Sequence, residues 1–213
     1  MSTEAGMDKV SDTARMEWLE AMAIQMPEVE GHPNRVPFHG VLTLVDAASD
    51  KAPSGSRGHR VLLTGKAVEK AIPSLLGMAI DYTPSLDGHD TRAKIGVITS
   101  AELEALTVLR VLGRGPNSDA AKRSPLHLRG HAQQLKVEGY LYGKDFPEVM
   151  GEMRAKGKGE LGMSYEIADV HVADVEAMVW AVTKFTFTGA AVLLKSKAAY
   201  QRTWVEITGS EIR

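Results

Sequence analysis

The stretch Gly159-Glu160-Leu161-Gly162-Met163-Ser164-Tyr165-Glu166-Ile167 alternates strictly, with bulky apolar side chains at Leu161, Met163, Tyr165 and Ile167. An apolar repeat of two residues describes a half-buried strand and excludes an amphipathic helix, so this segment must sit in a sheet with that row inward. Gly162, Ser164 and Glu166 then share the other face. A hydroxyl is thereby fixed on a rigid element. It becomes a nucleophile only if a base takes its proton, and that requirement directs attention to the histidines.

The chain has 213 residues and no cysteine, which removes disulfides, thiolate catalysis and cysteine-rich zinc sites together. A covalent catalyst would have to be a hydroxyl, an amine or a carboxylate. Lys+Arg 25 against Asp+Glu 27 gives a net charge of −2, so no basic field points to nucleic acid. The start Met1-Ser2-Thr3-Glu4-Ala5 lacks a basic, then apolar, leader, and no apolar run approaches the ~18 residues of a bilayer span. The expectations are no membrane association and a cytosolic setting.

Of the 7 histidines, His32, His39, His59, His127 and His131 fall in or beside loops and early strands, where a solvated imidazole is the ordinary reading. The chain has no His-Glu-x-x-His motif, and His127 and His131, four residues apart, lack its glutamate, so neither a metal nor another cofactor is expected. His89 lies in Leu86-Asp87-Gly88-His89-Asp90, directly before the strand-like run Lys94 to Thr99. Its alternative reading is a turn histidine hydrogen-bonded to Asp87 or Asp90.

Elsewhere the pattern gives strands at Val36 to Val45, His59 to Thr64, Met78 to Asp81, Leu106 to Leu112, Gln134 to Tyr142 and Phe185 to Leu194. Helical spacing appears from Ala67 to Leu75, interrupted by Pro73, and from Phe146 to Lys156, with Asp145 as N-cap and Gly157 as stop. Ala173 to Trp180 is ambiguous and reads as helical in part. Met16, Leu19, Met22, Ala23 and Met26 mark a further helix before Pro27, suited either to packing on the core or to binding a partner through adaptable methionines. The organisation expected is an N-terminal extension over residues 1–34 and one domain over 35–213. Many short strands with a few helices argue for an α+β protein built on an antiparallel sheet or small closed barrel.

His89 before Ile95-Gly96-Val97, then Val137-Glu138-Gly139-Tyr140-Leu141-Tyr142, Phe146-Pro147-Glu148-Val149 and Leu161-Gly162-Met163-Ser164-Tyr165-Glu166, together resemble the prohead (capsid maturation) serine proteases of tailed bacteriophages, relatives of the herpesvirus assemblins. The resemblance spans roughly Val36 to Tyr200. It implies an assemblin-like fold, a small antiparallel β-barrel core surrounded by helices, with Ser164 as nucleophile and His89 as base. It also implies scaffold protein and major capsid protein as substrates, a homodimer, self-cleavage, and a location in host cytoplasm inside the assembling prohead. The polar stretch from Gly113 to His131 suits self-cleavage, since such loops are the usual sites of nicking.

The third member is open. Family strands supply a carboxylate or, in the herpesvirus relatives, a second histidine, whereas Phe185-Thr186-Phe187-Thr188-Gly189-Ala190-Ala191 has neither and offers only Thr186 or Thr188. Thr188 stands at the usual position, and Asp169, then His171, are the preferred substitutes, with Asp174 and Glu166, which shares the serine's strand face, as further candidates. That departure sustains an alternative function, a non-catalytic capsid assembly or scaffold-like protein that keeps the protease fold. The G-x-S-x-G elbow of other hydrolases does not apply, because the fifth residue is Glu166. Oxyanion donors are not identified by the sequence.

Overall fold

Eight strands form one sheet in a computed structural model that describes residues 23–27, 29, 31–106 and 132–208. They are β1 (Val36–Val45), β2 (Arg60–Leu63), β3 (Ala79–Asp81), β4 (Lys94–Ala105), β5 (Gln133–Leu141), β6 (Leu161–Val172), β7 (Val179–Leu194) and β8 (Trp204–Ile207). The order across the sheet is β2, β7, β3, β4, β5, β1, β8, with β6 joined to β7. Helix α1 (Gly65–Ala71) runs into a 3₁₀ turn, Ile72–Leu75, and helix α2 (Pro147–Glu160) precedes β6.

Strand β7 organises the sheet because it is 16 residues long and uses both edges. Along one edge it pairs antiparallel with β6; along the other it pairs parallel with β2 and then with β3. Helix α1 and the 3₁₀ turn connect β2 to β3, which follow one another along that same edge of β7, and they bury Ala67, Val68, Ala71, Ile72 and Leu75. Pro73 is accommodated because the α-helix has already ended at Ala71.

The remaining strands, β3 to β4 to β5 to β1 to β8, are antiparallel throughout. From Gly40 to Val45 strand β1 is buried on both faces. Phe38, Leu42 and Val45 enter the main core, while Val41 and Leu44 join Ala47, Ala132 and Tyr200 in a second cluster behind it. Gly139 of β5 lies between β1 and β4, opposite Phe38 and Ile98, and a Cβ there would overlap the Val97 carbonyl oxygen. Since the obstacle is backbone, Gly139→Ala should destabilise the protein by about 1–3 kcal/mol, as overpacked cores do, and thermal melting checks this.

The expected fold class is corrected. The described residues are 45% strand and 16% helix, with two α-helices, and their sheet is mixed and curled into a half-barrel. It is not an antiparallel barrel ringed by helices. The parallel pairs on β7 are the physical reason, since they spend one of its edges on β2 and β3. Residues Ala173 to Met178 form the turn into β7 instead of a helix. Asp145 does not cap α2. Phe146 is its N-cap, without a side-chain bond, and the Asp145 carboxylate accepts from Asn34 Nδ2 at 2.8 Å. Gly157, at φ 59°, breaks the helix where a stop was expected. Most of the N-terminal methionine helix, the strand beyond Leu106 and the segment 113–131 lie outside the described residues.

Candidate active site

The alternation of β6 is visible in its burial. Leu161 and Met163 are core residues and Tyr165 and Ile167 pack against that core, whereas Ser164 and Glu166 are half-buried on the other face. Ser164 pairs with Ala191 of β7, and on the far side of β7 the same Ala191 pairs with Asp81 of β3. Directly paired residues point to the same face. Ser164 and Asp81 therefore flank one alanine, with their Cα atoms two strand spacings, about 9–10 Å, apart. That gap is bridged by an imidazole.

His89 comes from the loop of residues 82–93 between β3 and β4, so the strand pair that ends in Asp81 also delivers the histidine. The loop is stapled down at several points. Thr83 Oγ1 bonds Asp87 Oδ1 at 2.8 Å, Asp90 Oδ1 accepts from the Arg92 N–H at 2.9 Å, and the Leu86 carbonyl accepts from the Leu194 N–H at 2.7 Å. Asp87 and Asp90 thus hold the loop and not the imidazole. His89 Nε2 lies 3.1 Å from Ser164 Oγ, and Nδ1 lies 3.3 Å from Asp81 Oδ1. Ala191, fully buried between the two strands, has only a methyl group with which to obstruct the ring.

Asp81 has no exposed side-chain surface, and Lys94 Nζ meets its second oxygen at 3.1 Å. Burial pushes its carboxyl up, but the His89 ring and then the Lys94 ammonium outweigh this and hold it below the usual carboxylate range. Asp81 is thus ionised at neutral pH and can only accept. The His89 proton must reside on Nδ1, leaving Nε2 to accept from the Ser164 hydroxyl. This is the tautomer that a serine base requires.

The lowered Asp81 value has a consequence for stability. A group held lower in the folded chain binds fewer protons there, so its contribution is present above the unfolded-state value and is lost as pH falls through the folded one. Asp81→Asn should therefore flatten the low-pH limb of the melting-temperature profile. Melts taken from neutral pH down through the carboxylate range would read this directly.

The structure brings Ser164 and His89 together and does not bring the three foremost candidates for the third member to them. Among the described residues no hydrogen bond or ion pair joins Asp169, His171 or Thr188 to His89. Asp169 and His171 are exposed on the outer half of β6, roughly 16 and 23 Å along the strand from Ser164 at ~3.3 Å per residue. Thr188 is exposed beside a β-bulge where the pairing of β7 with β6 slips. Asp81 was missed by sequence reasoning, although one signal was available. An aspartate closing the apolar strand Met78-Ala79-Ile80 is out of place on propensity alone.

Among the described residues no group of histidines and carboxylates is arranged to hold a metal ion, and no helix is long and apolar enough to cross a membrane. No protein-family model, curated protein or solved structure matches the chain.

Proposed function

We propose that this protein is a serine hydrolase acting on peptide bonds, with Ser164 as nucleophile, His89 as general base and Asp81 as the carboxylate that orients the imidazole. The observation that carries this reading is the line of contacts from Ser164 Oγ through the two nitrogens of His89 to the buried Asp81. Ser164 Oγ attacks the substrate carbonyl carbon, forming a C–O bond as its proton passes to Nε2. Collapse breaks the C–N bond, and Nε2 returns the proton to the leaving amine. Water, deprotonated by the same nitrogen, then attacks the acyl-enzyme, releasing the acid and the free serine. Base assistance of this kind is worth roughly 10²–10⁴-fold. Acidification removes it, because only a neutral imidazole can accept, so activity should fall at low pH.

The substrate class follows from the resemblance to prohead proteases. We propose that scaffold and major capsid proteins of an assembling phage head are cleaved, together with the protein itself, inside the prohead in host cytoplasm.

A fluorophosphonate probe tests the chemistry without knowledge of the substrate. The activated Ser164 oxygen displaces fluoride from phosphorus and stays covalently marked. Labelling of wild type and none of Ser164→Ala is expected. A wild type that remains unlabelled would instead favour the non-catalytic assembly protein.

A further inference from the structure

Glu166 is the charged group beside the site that the line of contacts leaves unused. It stands two residues after Ser164 on the same face of β6, and its Oε1 lies 3.7 Å from His89 Nδ1. Opposite it on β7 is Gly189, where a Cβ would come within 2.7 Å of Glu166 Oε2 and within 3.5 Å of its Cβ and Cδ. The carboxylate therefore lies down over the strand, in space that a side chain at position 189 would occupy. Any larger residue there would lift it away.

The contact between His89 Nδ1 and Asp81 Oδ1 leaves room for a second acceptor. At 3.3 Å it is long for an N–H···O bond, and both atoms are sealed from water without a well-formed partner. One N–H thus faces two carboxylates of different kind. Asp81 is fully buried and tied to Lys94, whereas the Glu166 side chain is 39% exposed and ends a longer, adjustable stem.

We infer that Glu166 is a second positioning carboxylate for His89, standing 3.7 Å from Nδ1 as an ion-pair partner beside Asp81 and placing negative charge beside the imidazolium that forms when Ser164 gives up its proton. Its catalytic consequence rests on the serine hydrolase reading, but the approach of the carboxylate to Nδ1 does not. Because Glu166 is partly solvated, its charge is screened and its removal alone has a small effect. When Asp81 is replaced by a neutral amide, Glu166 becomes the only carboxylate beside Nδ1 and its effect grows.

The test compares wild type, Glu166→Gln, Asp81→Asn and the double variant by the rate of fluorophosphonate labelling and by proton NMR of the imidazole. Glu166→Gln is expected to slow labelling about two- to five-fold in the wild-type background. In the Asp81→Asn background the loss should be about ten-fold or more. A His89 Nδ1–H resonance protected from solvent exchange is expected in wild type, should survive in Asp81→Asn and should be lost to exchange in the double variant, which a merely structural role for Glu166 would not produce. If Glu166→Gln changes neither the residual labelling nor that resonance, the inference is overturned. Should Asp81→Asn fail to fold, an unchanged labelling rate in Glu166→Gln alone overturns it. A wild type that shows the resonance yet never labels would sink the hydrolase reading while leaving the pairing of Glu166 with the imidazole in place.

Discussion

Asp81→Asn is expected to slow labelling and peptide turnover by about 10²–10³-fold while the protein stays folded. An asparagine matches the aspartate in shape, but it carries an amide donor as well as a carbonyl, so it no longer forces the His89 proton onto Nδ1. The tautomer protonated on Nε2 cannot accept from Ser164. In a triad with a single carboxylate the same change costs about 10⁴-fold. Here Glu166, 3.7 Å from Nδ1, retains part of that function, which is why a smaller loss is expected. Folding should survive because Lys94, 36% exposed, can turn its ammonium toward water once Asp81 is neutral. Turnover at the wild-type rate in a folded Asp81→Asn protein would show that Asp81 is not the orienting acid. By contrast, changes at Asp169, His171 and Thr188 should leave turnover unaltered, since all three are exposed and away from the imidazole.

The pairing of Ser164 with His89 could be anticipated from the sequence because each residue sits in a short, self-describing context. Ser164 lies within a strict alternation, and His89 lies in a turn before a strand. What joins them is not local. They are 75 residues apart, and the third group depends on Asp81 flanking the same Ala191 from the other side of β7. No spacing within β3 reveals which strand it will pair with. The search for an acid instead followed proximity in sequence to Ser164 or His89, and that criterion preferred Asp169 and His171, which the strand geometry turns away, over Glu166, which does reach the imidazole. Asp87 and Asp90, the nearest acids to His89, are consumed by Thr83 and Arg92.

Strand positions were similarly more legible than their partners. Alternation marks Val36 to Val45 with the bounds that β1 has, and places β2, β5 and the serine strand within a few residues. Direction of pairing leaves no such trace. A strand, a short helix and a second strand at residues 60–81 form a pattern compatible with parallel strands, yet β2 and β3 are parallel to β7, which lies about a hundred residues later. Reading the strands as an antiparallel barrel missed this insertion. The insertion is also what creates the site, because it sets Asp81 two strands from Ser164.

Ser164→Ala, His89→Ala and the double variant are expected to lose the same activity, roughly 10⁶-fold, and not to show additive losses. The reason lies in their mutual dependence. Without His89 the Ser164 hydroxyl keeps its proton, and without Ser164 the Nε2 of His89, 3.1 Å from that oxygen, has no nucleophile to activate. Removing either partner disables the unit, so removing the second costs little more. All three should fold, because Ser164 and His89 are half-buried and both substitutions shorten a side chain without leaving a charge unpaired in the core. Asp81 would still have Lys94 at 3.1 Å. Single-turnover assays on a chromogenic ester or a peptide, with thermal melts as a folding control, give the comparison. Independent losses that multiply in the double variant would mean that His89 and Ser164 act separately, and the proton transfer proposed between them would be wrong.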